Sequence, residues 1–168
     1  RLSFYDKCPE GLPEEQEEII AVTVHSPLTF KKEERICSKL LIEKLFNGEE
    51  SHSLASYPLR MVFLEYERSD DTPQVQLLIS VPKRHLKHAV DRNRIKRLVR
   101  EAYRKNKHLI TDALANHPNT AIAMAIIWLD AHVSDARMVE KKVCNILLRM
   151  REQLGKRGHG EDKYIIED

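Results

Sequence analysis

Residues 83–107 read KRHLKHAVDRNRIKRLVREAYRKNK, and in this stretch the apolar and the basic residues separate onto opposite faces of one helix. At about 100° per residue, the apolar stripe consists of Ile95, Leu98, Val99, Ala102 and Tyr103. The opposite, basic stripe consists of Arg92, Lys96, Arg97, Arg100, Arg104 and Lys107. The pattern predicts a helix that packs one face on a protein core and presents cations on the other.

Positive charge is concentrated in this helix rather than spread over the chain. The stretch contains eleven Lys and Arg residues and only two acids, Asp91 and Glu101, which gives it a net charge of +9. Because the whole chain carries +2, the other residues together carry −7. A phosphate backbone selects such a concentration of cations. The alternative is a helix face that is simply solvated, which is the commoner case for a basic helix taken at random.

The residue types in the helix favour RNA over simple solvation. Arginines outnumber lysines there, and Asn93 lies between Arg92 and Arg94. Guanidinium groups offer forked donors, and the amide of Asn93 both donates and accepts hydrogen bonds. This set of donors and acceptors indicates a folded RNA as the partner.

The composition indicates one globular domain. A chain of 168 residues with 42% hydrophobic and 32% charged residues suits a single core with appended segments. No apolar run approaches the roughly 20 residues that span a bilayer, so no membrane segment is expected. The three cysteines, Cys8, Cys37 and Cys144, are odd in number and far apart, which supports neither a disulfide framework nor a zinc site. We therefore expect a protein of the reducing cytoplasm, without a secretory leader.

The rest of the chain predicts an α+β arrangement in layers, in the order helix, strands, basic helix, strand, helix. Residues 1–28 contain three prolines, and five glutamates between positions 10 and 18, and we interpret them as an acidic N-terminal extension. Residues 29–154 form the predicted RNA-binding domain. Residues 155–168 are predicted to be a flexible C-terminal tail.

Two further helices are predicted from hydrophobic periodicity and capping residues. A short amphipathic helix follows Phe30 and ends at Asn47-Gly48, a common C-terminal stop. A final helix starts at a cap supplied by Ser134 or Asp135 and runs to about Leu154.

Three strands are predicted from alternation and apolar content. Residues 57–67 alternate as a strand, and residues 75–81 form an apolar run typical of a central strand covered on both faces. The short connection between these two strands predicts that they are antiparallel neighbours. Residues 121–129 predict a third strand.

The run Arg92-Asn93-Arg94 also carries a resemblance to a known family. Together with Lys96-Arg97 and Arg100-Glu101 after it and Lys83-Arg84 before it, the run closely resembles the signature of the bacterial ribonuclease P protein subunit. The resemblance covers roughly residues 30–152, in the family's order of elements. It implies a fold like the second domain of a small-subunit ribosomal protein, with an unusual left-handed β-α-β crossover through the basic helix.

The resemblance also implies a function. In that family the protein pairs with a large catalytic RNA, and the holoenzyme removes the 5′ leader from precursor tRNA. The protein performs no bond chemistry there, so neither a catalytic side chain nor a protein-bound metal is expected. Mg²⁺ held mainly by the RNA would activate the attacking water. Neither DNA nor a membrane is an expected partner.

Two sets of RNA-contacting residues follow from the resemblance. The catalytic-RNA set consists of Lys83, Arg84, Arg92, Asn93, Arg94, Lys96, Arg97 and Arg100. The leader set consists of Phe30, Lys31, Lys32, Arg35, Phe46 and Phe63. Single strands bind to aromatic platforms beside cations, whereas a folded RNA offers arrays of phosphates. A core position is the alternative for Phe46, and a solvated helix start with one anchoring ring is the alternative for Phe30.

Two other functions remain open at this point. A structural or ribosome-associated RNA-binding protein is the first, because a basic amphipathic helix on an α+β sheet fits that role as well. A protein enzyme is the second, but the eight histidines are scattered and no His, Cys and Asp set has the spacing of metal ligands or of a catalytic site.

Overall fold

The computed structural model describes residues 29–157. The predicted acidic extension, residues 1–28, and residues 158–168 of the predicted tail lie outside the described residues. The described helices are α1 (Lys39–Asn47), α2 (Ala89–Asn106), α3 (His108–Ala113) and α4 (Ala136–Arg157). The described strands are β1 (His52–Ser56), β2 (Leu59–Glu67), β3 (Val75–Ser80) and β4 (Thr120–Trp128).

The described strands form one mixed sheet in the order β1-β2-β4-β3. Both β1 and β4 pair with β2 in antiparallel orientation, and β3 pairs with β4 in parallel orientation. Parallel neighbours need a crossover connection, which α2 and α3 supply between β3 and β4. This confirms the predicted layered α+β fold and the β-α-β unit through the basic helix. The left hand of that crossover stays a prediction.

The inner strands of the sheet are β2 and β4, and β3 is not one of them. The prediction that residues 75–81 form the central strand beside residues 57–67 is wrong, because β4 lies between β2 and β3 and leaves β3 at an edge. The sequence TAIAMAIIW of β4 alternates small and large residues. Its alanines 123 and 125 share a cluster with Leu45 of α1, whereas Met124 and Ile126 belong to the cluster under α2 and α4. Small residues on one face let α1 lie close to the sheet.

Element boundaries differ from the prediction by more than one residue at two places. The predicted strand 57–67 begins at Leu59, and it is preceded by β1, which was not predicted because only Leu54 of its five residues is buried. The last helix continues past Leu154 to Arg157, so residues 155–157 are helical and not part of a tail. Basic residues in a last turn interact favourably with the helix dipole, and this turn contains Lys156.

Helices cover both faces of the sheet. On one face, the α1 residue Leu45 packs in a cluster with Ile36, Val62 and Leu64. On the other face, α2, α3 and α4 close over a larger cluster that includes Trp128, which is 1% exposed. Because α2 is held from below by this core, its opposite side is fixed at the surface.

Candidate nucleic-acid interface

The apolar stripe of α2 is confirmed as its core face. Ile95, Val99, Ala102 and Tyr103 are at most 3% exposed, and Leu98 is partly buried against the same core. The catalytic-RNA set lies outside this stripe. Its exposed members are Lys83, Arg84, Asn93, Arg94 and Arg97, and its half-buried members are Arg92, Lys96 and Arg100.

The cations of the catalytic-RNA set are not neutralised by neighbouring acids. Within residues 29–157 no member of the set takes part in a salt bridge. The cations nearer the C-terminal end of the helix are paired with acids: Arg104 pairs with Glu101 at 2.6 Å, and Lys105 pairs with Glu140 of α4 at 3.0 Å. The hydrogen bond from Arg104 holds the pKa of Glu101 below its ordinary value. Unpaired positive charge is therefore concentrated on the first three turns of α2 and the loop before it.

Arg92 differs from the other members of the catalytic-RNA set. Its Nη1 donates hydrogen bonds to the carbonyl oxygens of Leu86 at 3.0 Å and Lys87 at 2.6 Å. These bonds tie the start of α2 to the loop that carries Lys83 and Arg84. Arg92 lies outside the apolar stripe, as predicted, but one of its terminal nitrogens is used to hold this loop.

Four members of the leader set lie on one segment, residues 29–36, which we call the arm. The ring of Phe30 meets the ring of Tyr103 edge to face at 5.7 Å, and the guanidinium carbon of Arg35 lies 5.6 Å from the centre of the Phe30 ring. Phe30 is half-buried, whereas Lys31, Lys32 and Arg35 are exposed. The arm thus presents a partly covered aromatic ring among three exposed cations.

The end of the arm is attached to the edge of the sheet. Arg35 forms a parallel bridge with Leu77 of β3. The backbone N–H of Ile36 donates to the oxygen of Leu77 at 3.2 Å, and the N–H of Leu77 donates to the oxygen of Glu34 at 2.7 Å. These bonds fix the C-terminal half of the arm and leave its first residues to be held by other contacts.

The two remaining members of the leader set, Phe46 and Phe63, have opposite surroundings. Phe46 on α1 is 43% exposed, so the alternative of a core position is wrong. Phe63 is 0% exposed and packs in the cluster with Leu59 and Met61. Period-two alternation directs the Phe63 side chain toward the face covered by α2 and α4, so the structure offers no exposed Phe63 ring for the predicted leader contact. Phe30 packs against the cluster under α2 and α4, whereas α1, which carries Phe46, packs on the opposite face of the sheet.

One arrangement of side chains beside the candidate site was missed from the sequence, and it involves Lys107. This residue was assigned to the exposed basic stripe, but it is only 8% exposed. Its Nζ donates to the carbonyl oxygen of Thr29 at 2.6 Å and pairs with Oε1 of Glu34 at 2.8 Å. Burial, and secondarily the charge of Glu34, raise the pKa of the Tyr103 hydroxyl well above its ordinary value. Lys107 continues the pattern of exposed cations along the helix, so nothing in the sequence indicates that its side chain is buried.

Beside the arm lies an open cleft of about 460 Å³. Its charged lining is mixed, with Lys31, Arg68 and Lys107 against four acids, Glu33, Glu34, Asp70 and Asp71. This excess of acids disfavours a phosphate backbone inside the cleft. In residues 29–157 no group of three or more His, Cys, Asp or Glu side chains has a metal-binding arrangement. None of the described helices is both long and apolar enough to cross a membrane.

Known proteins similar to this chain share one description. The family model described as Ribonuclease P matches residues 30–150, which contain both predicted sets. A protein of Porphyromonas gingivalis named ribonuclease P protein component is 37% identical over 127 residues, which cover 74% of this chain and 90% of the relative. A protein with the same name from Chlorobaculum tepidum is 58% identical over 41 residues, 24% of this chain and 27% of the relative. The structure of the Staphylococcus aureus RNase P protein matches with a TM-score of 0.51 at 21% identity, over 69% of this chain and 94% of that one, and supports the fold.

Proposed function

Because the chain belongs to the bacterial ribonuclease P protein family, and so to a ribonucleoprotein of tRNA processing, we propose that it binds the catalytic RNA and the 5′ leader of precursor tRNA. In this proposal α2 and its preceding loop hold the catalytic RNA, and the arm meets the leader. The bound leader is then cut from the tRNA by the RNA.

The proposal for the catalytic RNA rests on one observation. The catalytic-RNA set lies on the outer side of α2 and forms no salt bridge within the described residues. When protein cations without acidic partners neutralise phosphates, the counterions condensed on the nucleic acid are released, and this release drives binding. Arg94 and Arg97, both exposed, are the guanidinium groups best placed to form forked bonds with phosphates.

The proposal for the leader rests on the arm. Phe30 offers a partly exposed ring next to the exposed cations Lys31, Lys32 and Arg35, the combination that binds single-stranded RNA. Phe46 is exposed enough to stack as well, but it lies on α1 and would contact a different nucleotide. Phe63 is no longer part of the proposed leader set, because it is buried.

The chain's own side chains contribute affinity and position rather than bond chemistry. They would hold the leader and the catalytic RNA in a fixed relation, which raises the effective concentration of the substrate at the RNA active site. Mg²⁺, held mainly by the catalytic RNA, would supply the activated water and stabilise the leaving oxygen. The cytoplasm is the proposed location of the assembly.

Reconstitution tests this function directly. The full chain is combined with the catalytic RNA of its source, and cleavage of a precursor tRNA with a leader of several nucleotides is followed at low Mg²⁺. We expect a specific 5′ cut that depends on the catalytic RNA and is stimulated by the protein. RNA that co-purifies with the chain decides the alternative, since ribosomal RNA in place of a catalytic RNA would support a ribosome-associated protein.

A further inference from the structure

The basic residue at the end of α2 is turned inward. Lys107 follows the last residue of the helix, and its side chain is 10% exposed. Its two bonds reach acceptors 78 and 73 residues away in sequence, the oxygen of Thr29 and the carboxylate of Glu34. Both acceptors belong to the arm, so one ammonium group joins the helix of the catalytic-RNA set to the segment of the leader set.

The carboxylate of Glu34 extends this connection along the arm. While Oε1 pairs with Lys107, Oε2 accepts a hydrogen bond of 2.7 Å from the backbone N–H of Lys31. The side chain of Glu34 is 16% exposed, so the ion pair is largely removed from water. Burying charges is unfavourable unless they are paired and hydrogen-bonded, and here both conditions are met between the arm and α2.

The other contacts of the arm divide between β3 and α2. On the β3 side, the bonds to Leu77 hold residues 34–36, and Nε2 of Gln76 donates to the oxygen of Glu33 at 3.2 Å. On the α2 side, the ion pair of Lys107 is accompanied by the edge-to-face contact of Phe30 with Tyr103. A segment that must be ordered on binding loses affinity, because its conformational freedom has to be given up at that moment. The bonds of Lys107 reduce that freedom before RNA binds.

We propose that Lys107 is a positioning residue for the leader site, which holds residues 29–34 of the arm at a fixed place beside α2 through Thr29 and Glu34. The proposal rests on the proposed function of the arm and deepens it. Lys107 contacts no RNA itself. Its role is to set the distance between the leader-contacting groups and the cations that hold the catalytic RNA.

The test compares two lysines at the same end of the helix. Lys107→Met removes the ammonium group that holds the arm, and Lys105→Met is the matched control, since Lys105 pairs with Glu140 of α4 and its side chain is 45% exposed. Each variant is assembled with the catalytic RNA. Dissociation constants are then measured for that RNA, for a precursor tRNA with a leader of several nucleotides, and for one with a single-nucleotide leader.

We expect Lys107→Met to weaken binding of the long-leader substrate about fivefold to tenfold, roughly the value of one lost base stack. Affinity for the short-leader substrate and for the catalytic RNA should stay within about twofold, and Lys105→Met should match the unmodified chain. Equal losses on both substrates, or an unchanged long-leader affinity, would overturn the positioning role.

Circular dichroism shows whether Lys107→Met folds. If it does not fold, a second variant tests the same role. Glu34→Ala leaves no buried carboxylate and removes both bonds of Glu34, while Lys107 keeps its bond to the oxygen of Thr29, so it should also weaken binding of the long leader alone. Phe30→Ala separates this inference from the proposed function. If Phe30→Ala lowers long-leader affinity and the two arm-releasing variants do not, only the role of Lys107 fails. If none of them does, the leader role of the arm fails.

Discussion

At the scale of single residues, the two arginines of the Arg92-Asn93-Arg94 run have different tasks. Arg92 bonds to two backbone oxygens of the preceding loop, whereas Arg94 is exposed and forms no salt bridge within residues 29–157. From the residue types alone, both arginines are predicted to bind RNA. Only the fold shows that one guanidinium group is partly occupied.

This difference gives a prediction for the two single variants. Arg92→Ala leaves the oxygens of Leu86 and Lys87 without their donor, so we expect a loss of about 1–3 kcal/mol in the free energy of unfolding together with weaker binding of the catalytic RNA. Arg94→Ala should weaken RNA binding and leave stability within about 0.5 kcal/mol. Urea unfolding and filter binding measure both quantities. Equal stability of the two variants would contradict the holding role of Arg92.

The two phenylalanines Phe46 and Phe63 give a second pair of matched variants. Phe63→Ala creates a cavity in a fully buried position, and we expect it to cost about 3–5 kcal/mol of stability. Phe46→Ala removes a ring that is 43% exposed and should cost less than about 1.5 kcal/mol. The order should be reversed for leader affinity: the affinity for a long-leader substrate should fall for Phe46→Ala and not for Phe63→Ala. A folded Phe63→Ala holoenzyme with a loss confined to long leaders would restore Phe63 to the leader set.

At the scale of elements, the sequence predicted most helices and strands and failed on how strands pair. The apolar stripe of α2 was predictable because apolar residues that recur with a period near 3.6 indicate an amphipathic helix. The neighbours of β4 were not predictable, because a short connection favours pairing but a crossover can insert a later strand between two earlier ones. β1 was missed since a five-residue edge strand with one buried residue has almost no hydrophobic pattern.

The candidate site shows the same limit. The exposed cations of α2 followed from the sequence, because charge and periodicity together mark a surface. The burial of Lys107 and Phe63 did not, since each depends on which distant segment lies opposite. Lys107 faces an arm more than 70 residues earlier in the chain. Long-range contacts of this kind leave no trace in local residue patterns.

The ends of α1 and α4 give a prediction from two glycines. Gly155 lies in α4, and a Cβ there would meet no atom within 4 Å, so Gly155→Ala should stabilise the chain by up to about 1 kcal/mol through the higher helix propensity of alanine. Gly48 caps α1, and its N–H donates to the oxygen of Lys44 at 2.8 Å. A Cβ at Gly48 would collide with that same oxygen, so Gly48→Ala should destabilise the chain. Thermal unfolding of both variants checks the opposite signs.

At the scale of the whole molecule, charge is divided between two regions. Residues 83–107 carry +9 and the rest of the chain carries −7. This distribution directs the phosphates of a large folded RNA to α2 and its loop, while the exposed cations of the arm, Lys31, Lys32 and Arg35, stay available to the leader. Part of the +9 is cancelled by acids outside the stretch, because Lys105 pairs with Glu140 and Lys107 pairs with Glu34.

This division predicts how the affinity for the catalytic RNA depends on salt. Each phosphate neutralised by a cation contributes about 0.7–0.9 to the slope of log affinity against log salt. Replacing Arg94 and Arg97 together with alanine should therefore reduce the slope by about 1.4–1.8. Replacing Arg104 and Lys105, whose charges are already paired with Glu101 and Glu140, should change it by less than about 0.5. Filter binding between low and moderate salt gives the slopes. Equal changes for the two double variants would show that RNA contacts extend along the whole of α2, and that the ion pairs at its C-terminal end open on binding.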